Sequence, residues 1–164
     1  MNIYKSNCPV PFDQQPLNEY LSLKKSYLFS WSLSGMRTFL YGFLLILFFT
    51  FILISCFIFP FVYNDNLWKI LSLNLIVSNL ILLLLFMRLY LGWSYIFKRL
   101  LSATIFYEES GWYDGQVWVK TSDYLIQDRL VGFYQIMPCI VRIKYVSCIL
   151  IVSFLFFLFC YKLL

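Results

Sequence analysis

The sequence predicts a mainly α-helical integral membrane protein. It has three transmembrane helices, with a small α+β insertion (a β-hairpin and an amphipathic helix) between the second and third. Three observations carry this. Between Arg37 and Asp65 the chain runs without one formal charge, and residues 39–62 are mostly apolar. That is enough to cross a hydrocarbon layer of ~30 Å, which takes about 20 helical residues. Two more apolar stretches follow, at residues 70–87 and 145–161, each framed by cations: Lys69 and Arg88, then Lys144 and Lys162. Finally, 62% of the residues are hydrophobic and the mean hydropathy is +0.77, which excludes an ordinary soluble domain.

The first span covers residues 39–62. The second extends from 70–87 through Leu91 to Tyr95. The third is short, and Lys144 and Lys162 can snorkel outward to match it to the bilayer. Lys5, Lys24, Lys25 and Arg37 precede the first span. Arg88, Lys98, Arg99, Lys120, Arg129, Arg142 and Lys144 separate the second from the third. Only Lys69 and Lys162 fall on the other side. The positive-inside rule then puts the N-terminus and the 88–144 loop on the inner side. The net charge of +5 is thus a topology signal rather than a sign of nucleic-acid binding.

Residues 1–37 form an inner-side N-terminal segment. Residues 1–20 have no apolar h-region and carry Pro9, Pro11 and Pro16, so no signal peptide is expected. Residues 1–15 read as extended, because each proline restricts itself and its predecessor. Pro16 suits the first turn of a helix. From there Leu17, Leu21 and Leu28, with Tyr20, Tyr27 and Trp31, mark the apolar side of an interfacial helix. Residues 38–95 form a transmembrane helical hairpin. Its second helix carries Ser72, Asn74, Ser78 and Asn79, which serve either as interhelical hydrogen-bonding groups or as a polar path. No Asp, Glu, Lys or Arg lies inside residues 39–62, 70–87 or 145–161, which argues against a proton relay or coupled transporter.

Residues 96–138 form the inner-side insertion. Residues 104–108 and 116–120 read as strands joined by Gly111-Trp112-Tyr113-Asp114-Gly115, a turn sequence. Val117 and Val119 share one face of the second strand, with Trp118 on the other. Thr121 or Ser122 can cap a following helix. Its apolar stripe is Ile126, Leu130, Phe133 and Met137, able to lie on the membrane or cover the hairpin. Pro138 is expected to end or kink that helix before the third span, in residues 139–164.

Chemistry is sparsely signalled. There is no His, which removes His-dependent zinc sites, His triads and His-ligated haem. The five Cys are dispersed and form no CxxC. No catalytic residue and no cofactor-binding residue is assigned, and no cofactor is implied. Glu108, Glu109 and Asp114 are candidate metal ligands, hard oxygen donors on or beside the hairpin, with Asp123 and Asp128 nearby. Trp112, Tyr113, Asp114 and Trp118 are candidate partner-binding residues, since aromatic side chains dominate interface energetics. The tryptophans could equally be the hairpin's own core. One Ala against 18 Phe and 13 Tyr suggests an AT-rich coding genome such as an organelle's.

Several blocks are familiar together. They are Cys8-Pro9-Val10-Pro11, Gln14-Gln15-Pro16-Leu17-Asn18-Glu19-Tyr20, and Tyr107-Glu108-Glu109-Ser110-Gly111-Trp112-Tyr113-Asp114-Gly115-Gln116 with Trp118 and Lys120. Asp128-Arg129-Leu130, Tyr134 and Pro138 follow. Nearly the whole chain resembles the hypothetical chloroplast open reading frame thirty-six family, and GWYDGQ is the most specific block. The resemblance implies a plastid or cyanobacterial membrane protein with no assigned activity and no catalytic residues to carry over. It further implies a link, through green-lineage relatives, to iron limitation and photo-oxidative stress.

The expected function is a non-enzymatic accessory or assembly factor of a plastid membrane, the thylakoid or else the inner envelope, with its N-terminus and 88–144 loop stromal. Its expected partners are the lipid bilayer and photosynthetic membrane complexes, not nucleic acid. The alternatives are a carboxylate-based metal-handling protein and a small oligomeric transporter.

Overall fold

A computed structural model describes residues 9–58, 67–108 and 115–163. After a 3-10 turn at Phe12–Gln14 come helices α1 (Pro16–Lys25), α2 (Tyr27–Leu33), α3 (Met36–Ile58) and α4 (Leu67–Leu101). Strands β1 (Thr104–Glu108) and β2 (Gly115–Val119) form an antiparallel hairpin. Helix α5 (Ser122–Val131) then passes through a π turn (Gly132–Ile136) into α6 (Met137–Leu163). Helices α3, α4 and the continuous Ser122–Leu163 helix are each long and apolar enough to cross a membrane. The protein is mainly helical, with three spanning helices and a small β-hairpin inserted between the second and third.

The helices run antiparallel, and their side-chain contacts fix their relative heights. Phe39 and Phe43 of α3 meet Phe86 of α4 edge-on, with ring centroids 6.2 and 5.9 Å apart. Further along, Asn74 of α4 bonds Ser55 of α3. On the other flank Asn79 bonds Ser153 of α6, and Lys144 lies 5.7 Å from the Tyr90 ring centroid. Arg37, Arg88, Arg142 and Lys144 therefore stand at one level, with Lys69 and Lys162 at the opposite one. Along α4 the interval from Lys69 to Arg88 is about 28 Å at 1.5 Å per residue, matching a hydrocarbon layer. At about 52 Å, α4 continues well past the cation belt and carries the hairpin beyond it.

The interfacial helix expected from Pro16 onward is two helices. Pro16 opens α1, and Lys24 and Lys25 close it, where cations suit the helix dipole. Ser26 then adopts an extended conformation and starts α2 in a new direction. This turn brings Phe29, Trp31 and Ser32 onto α3 and α4. Trp31 stacks on Phe39 at 4.9 Å. Two glycines make room: a Cβ on Gly92 would stand 2.6 Å from the Phe29 ring, and one on Gly42 would collide with the Trp31 indole.

Trp93 is the centre of the core and is fully buried. Its indole N–H donates to Ser32 Oγ at 2.7 Å, and Ser32 donates in turn to the Phe29 carbonyl at 2.7 Å. Phe29 meets the indole edge-on at 5.6 Å, and Tyr20 lies at 6.1 Å. From α6 the buried Cys139 thiol donates to the Ser32 carbonyl, Sγ···O 3.3 Å.

Pro138 neither ends nor breaks the helix. A proline inside a helix clashes with the carbonyl four residues back, here that of Tyr134. The π turn holds Tyr134 in a wider loop, closed by the Met137 N–H donating to the Gly132 carbonyl, so the ring is accommodated and the helix runs on. The apolar stripe Ile126, Leu130, Phe133 and Met137 is exposed rather than laid on the hairpin. The opposite side, with Tyr124, Asp128, Ile136 and Ile143, is the buried one. Polar pairing at Asp128, described below, sets that rotation.

Close approach of α2 to α4 makes Gly92 intolerant of size. Gly92→Leu is expected to lower stability by about 1–3 kcal/mol through overpacking. Adding Phe29→Ala should recover part of the loss, read as the melting temperature of the detergent-solubilised protein.

Candidate functional site

Beyond the cation belt, the end of α4, the N-terminal segment, the hairpin and α5 form a polar-braced unit. Its deepest member is Lys120, just after β2. Its ammonium donates to Asp128 Oδ2 at 2.7 Å and to the carbonyls of Arg99 and Leu100 at 3.0 and 3.2 Å. The two side chains are 0% and 2% exposed. Lys120 thus caps the C-terminus of α4, where a cation complements the free carbonyls and the dipole. The same contact ties the hairpin and α5 to that end.

Arg99 organises the other flank. It pairs with Glu19 of α1, donates to the Gln14 carbonyl at 3.0 Å, and donates to the Tyr95 hydroxyl at 3.2 Å. Burial pushes the Glu19 carboxyl above the ordinary glutamate value, and Arg99 offsets this only in part. Gln14 completes the brace: its side-chain amide donates to the Glu108 carbonyl and accepts from the Glu108 N–H, both at 3.0 Å. A side chain here imitates a neighbouring strand and occupies the open edge of β1. Between Gln14, Tyr95, Lys98, Arg99 and β1 lies an open cleft of about 800 Å³.

The hairpin has two unlike faces. In register, Thr104 pairs with Val119, Ile105 with Trp118, Phe106 with Val117, Tyr107 with Gln116 and Glu108 with Gly115. Ile105 and Tyr107 are buried with Val10, and Trp118 packs against them. Trp118 also meets Tyr124 at 5.7 Å. Trp118 thus contributes to the packing of the hairpin against α5. The opposite face exposes Phe106, Val117 and Val119.

Glu108 is exposed at the end of β1. Glu109, Trp112, Tyr113 and Asp114 lie outside the described residues. Among the described residues no three His, Cys, Asp or Glu side chains converge as a metal site. Asp128 is committed to Lys120. Sequence reasoning singled out the hairpin acids and aromatics and gave no role to Gln14 or Arg99. Gln14 was marked only by its place in one of the quoted blocks and Arg99 only as an inner-side cation, since the contacts that join Arg99 to Glu19 and Gln14, and Gln14 to Glu108, span 80 or more residues.

Inside the membrane, polar groups on α4 hold the bundle. The amides of Asn74 and Asn79 donate to Ser55 on α3 and Ser153 on α6. Each serine hydroxyl already donates to its own helix, Ser55 to Phe51 and Ser153 to Leu150. This is interhelical hydrogen bonding on two sides of one helix, and it leaves Asn74 Oδ1 and Asn79 Oδ1 buried without a partner.

Breaking the Lys120–Asp128 pair from one side is expected to cost about 3–5 kcal/mol, because a buried charge is left behind. Lys120→Met and Asp128→Leu should each expose the hairpin to limited proteolysis, and the double variant should be the more resistant. Asn74→Leu and Asn79→Leu should be milder, about 0.6–2 kcal/mol each, since each amide also buries an unpaired oxygen. Melting of the solubilised single variants checks this.

The sequence matches the family model described as CGLD27-like, Conserved in the green lineage and diatoms 27, over residues 8–149. It is 46% identical to the uncharacterized protein ycf36 of Porphyra purpurea over 147 residues, 88% of each chain. It is 49% identical to the protein of the same name in Cyanophora paradoxa over 142 residues, 84% of this chain and 87% of that one. The Arabidopsis thaliana protein Conserved in the Green Lineage and Diatoms 27, chloroplastic, is 39% identical over 163 residues, 94% of this chain and 49% of that one. No solved structure matches. The chain belongs to the CGLD27-like family.

Proposed function

We propose that this family member is a non-enzymatic accessory or assembly factor of a plastid membrane, and that it holds a protein partner on the outer face of its hairpin. The observation that carries the reading is the exposed trio Phe106, Val117 and Val119, at 72%, 53% and 65% exposure. Contiguous apolar surface marks an interaction site. Lipid hydrocarbon is a poor candidate to cover it: α4 rises about 20 Å from Arg88 to Leu101 before the hairpin begins.

The chloroplastic name of the Arabidopsis relative supports a plastid location. The excess of Lys and Arg on the hairpin side supports a stromal orientation for it. A thylakoid membrane, where multisubunit complexes are assembled, fits an accessory role better than the envelope.

The test is mild solubilisation of a tagged chain, native-gel separation and mass spectrometry of what migrates with it. The wild type is expected in a complex larger than itself. Phe106→Ser with Val117→Ser should move it to the size of the free protein at unchanged abundance in the membrane. Equal migration of wild type and variant would sink the docking reading.

A further inference from the structure

We infer that a groove between α4 and α6, on the hairpin side of the membrane, binds the headgroup of an anionic phospholipid. The groove has a volume of about 550 Å³. Tyr90, Ser94 and Lys98 line it from α4, and Met137, Val141 and Lys144 from α6. No carboxylate lines it. Among the described residues neither Lys98 nor Lys144 meets an acidic side chain; the salt bridges use Arg99 and Lys120 instead. The Lys144 ammonium lies 5.7 Å from the Tyr90 ring centroid. Neither the Tyr90 nor the Ser94 hydroxyl is bonded to another described residue, so both are available to a ligand.

Lys98 and Lys144 line the same groove from opposite walls, and helix direction inclines their side chains toward one level. Side chains lean toward the N-terminus of their own helix. On α4 that direction is down toward the membrane, so Lys98 leans inward. On the antiparallel α6 it is away from the membrane, so Lys144 leans outward. They approach the level of Ser94, which stands about 9 Å beyond Arg88 along α4. That is headgroup depth, where a lipid phosphate sits just outside the hydrocarbon.

A basic groove between spanning helices at this depth suits an anionic headgroup. Two lysines, two hydroxyls and no acid would select phosphatidylglycerol over a zwitterionic lipid. A free phosphate could use the same cations, but it would lack the bilayer that delivers and holds a lipid at this height.

The test uses the full chain reconstituted in phosphatidylcholine nanodiscs containing phosphatidylglycerol, then extracted into detergent and stripped stepwise. Native mass spectrometry reads the lipid that remains bound. The wild type should keep one phosphatidylglycerol in preference to phosphatidylcholine. Lys98→Gln with Lys144→Gln should weaken that retention about 30-fold. A second variant, Lys24→Gln with Lys25→Gln, removes the same charge from α1 and should retain the lipid. Both altered lysines are exposed, so a melting temperature equal to wild type is expected and confirms the fold. Retention unchanged by Lys98→Gln with Lys144→Gln overturns the site. So does equal retention of both lipids, equal loss in the α1 variant, or displacement by millimolar inorganic phosphate.

Discussion

The indole of Trp93 has no access to water, and its N–H must still be bonded. A buried polar group without a partner costs roughly 1–3 kcal/mol. Ser32 supplies the acceptor, and that requirement draws α2 onto α4. Once Ser32 is there, its carbonyl receives the Cys139 thiol and brings α6 to the same point. Phe29 and Tyr20 close around the ring only because Gly92 has no side chain to keep Phe29 away. One aromatic side chain just beyond the hydrocarbon boundary thereby gathers four helices.

Charge placement repeats this economy at two depths. Cations at the boundary stay exposed or lie over rings, as Arg142 does over Phe39 at 5.2 Å and Lys144 over Tyr90. Two cations further out are paired: Arg99 with Glu19, Lys120 with Asp128. The second pair is far more deeply buried than the first, so solvent screens it less and the loss of one partner is felt more. Lys120 further engages the free carbonyls at the end of a helix. A single ammonium thus replaces the solvent that the end of α4 would otherwise need.

Much of this was legible in the chain. Uncharged runs framed by charged residues located the three spans, because hydrocarbon thickness leaves few alternatives. Alternation of Val117, Trp118 and Val119 located β2 and gave its two faces. Asn74 and Asn79 were legible as polar groups needing partners, though which helices would supply them was not. For α5 the sequence left two places for the apolar stripe, the membrane or the hairpin, and the stripe is exposed and off the hairpin. On the buried side Asp128 faces Lys120. The fate of Pro138 was equally hidden: a π turn depends on local crowding that no periodicity records. Gln14 and Arg99 could not be assigned roles, because their partners are remote in sequence.

Continuity of α5 with α6 has a mechanical consequence. The helix from Ser122 to Leu163 is fastened to α4 at Asp128 through Lys120, and again at Ser153 through Asn79. These fastenings are about 38 Å apart along the helix. Two rods pinned at both ends cannot pivot about either one. Gln14 and Arg99 secure the N-terminal segment and the β1 edge to the same frame. The hairpin therefore stands as a preformed platform, held at fixed height above the membrane. A preformed surface loses little conformational entropy on binding. Phe106, Val117 and Val119 are held on the outer face of that platform, so the apolar surface is built into the fold rather than exposed by a conformational change.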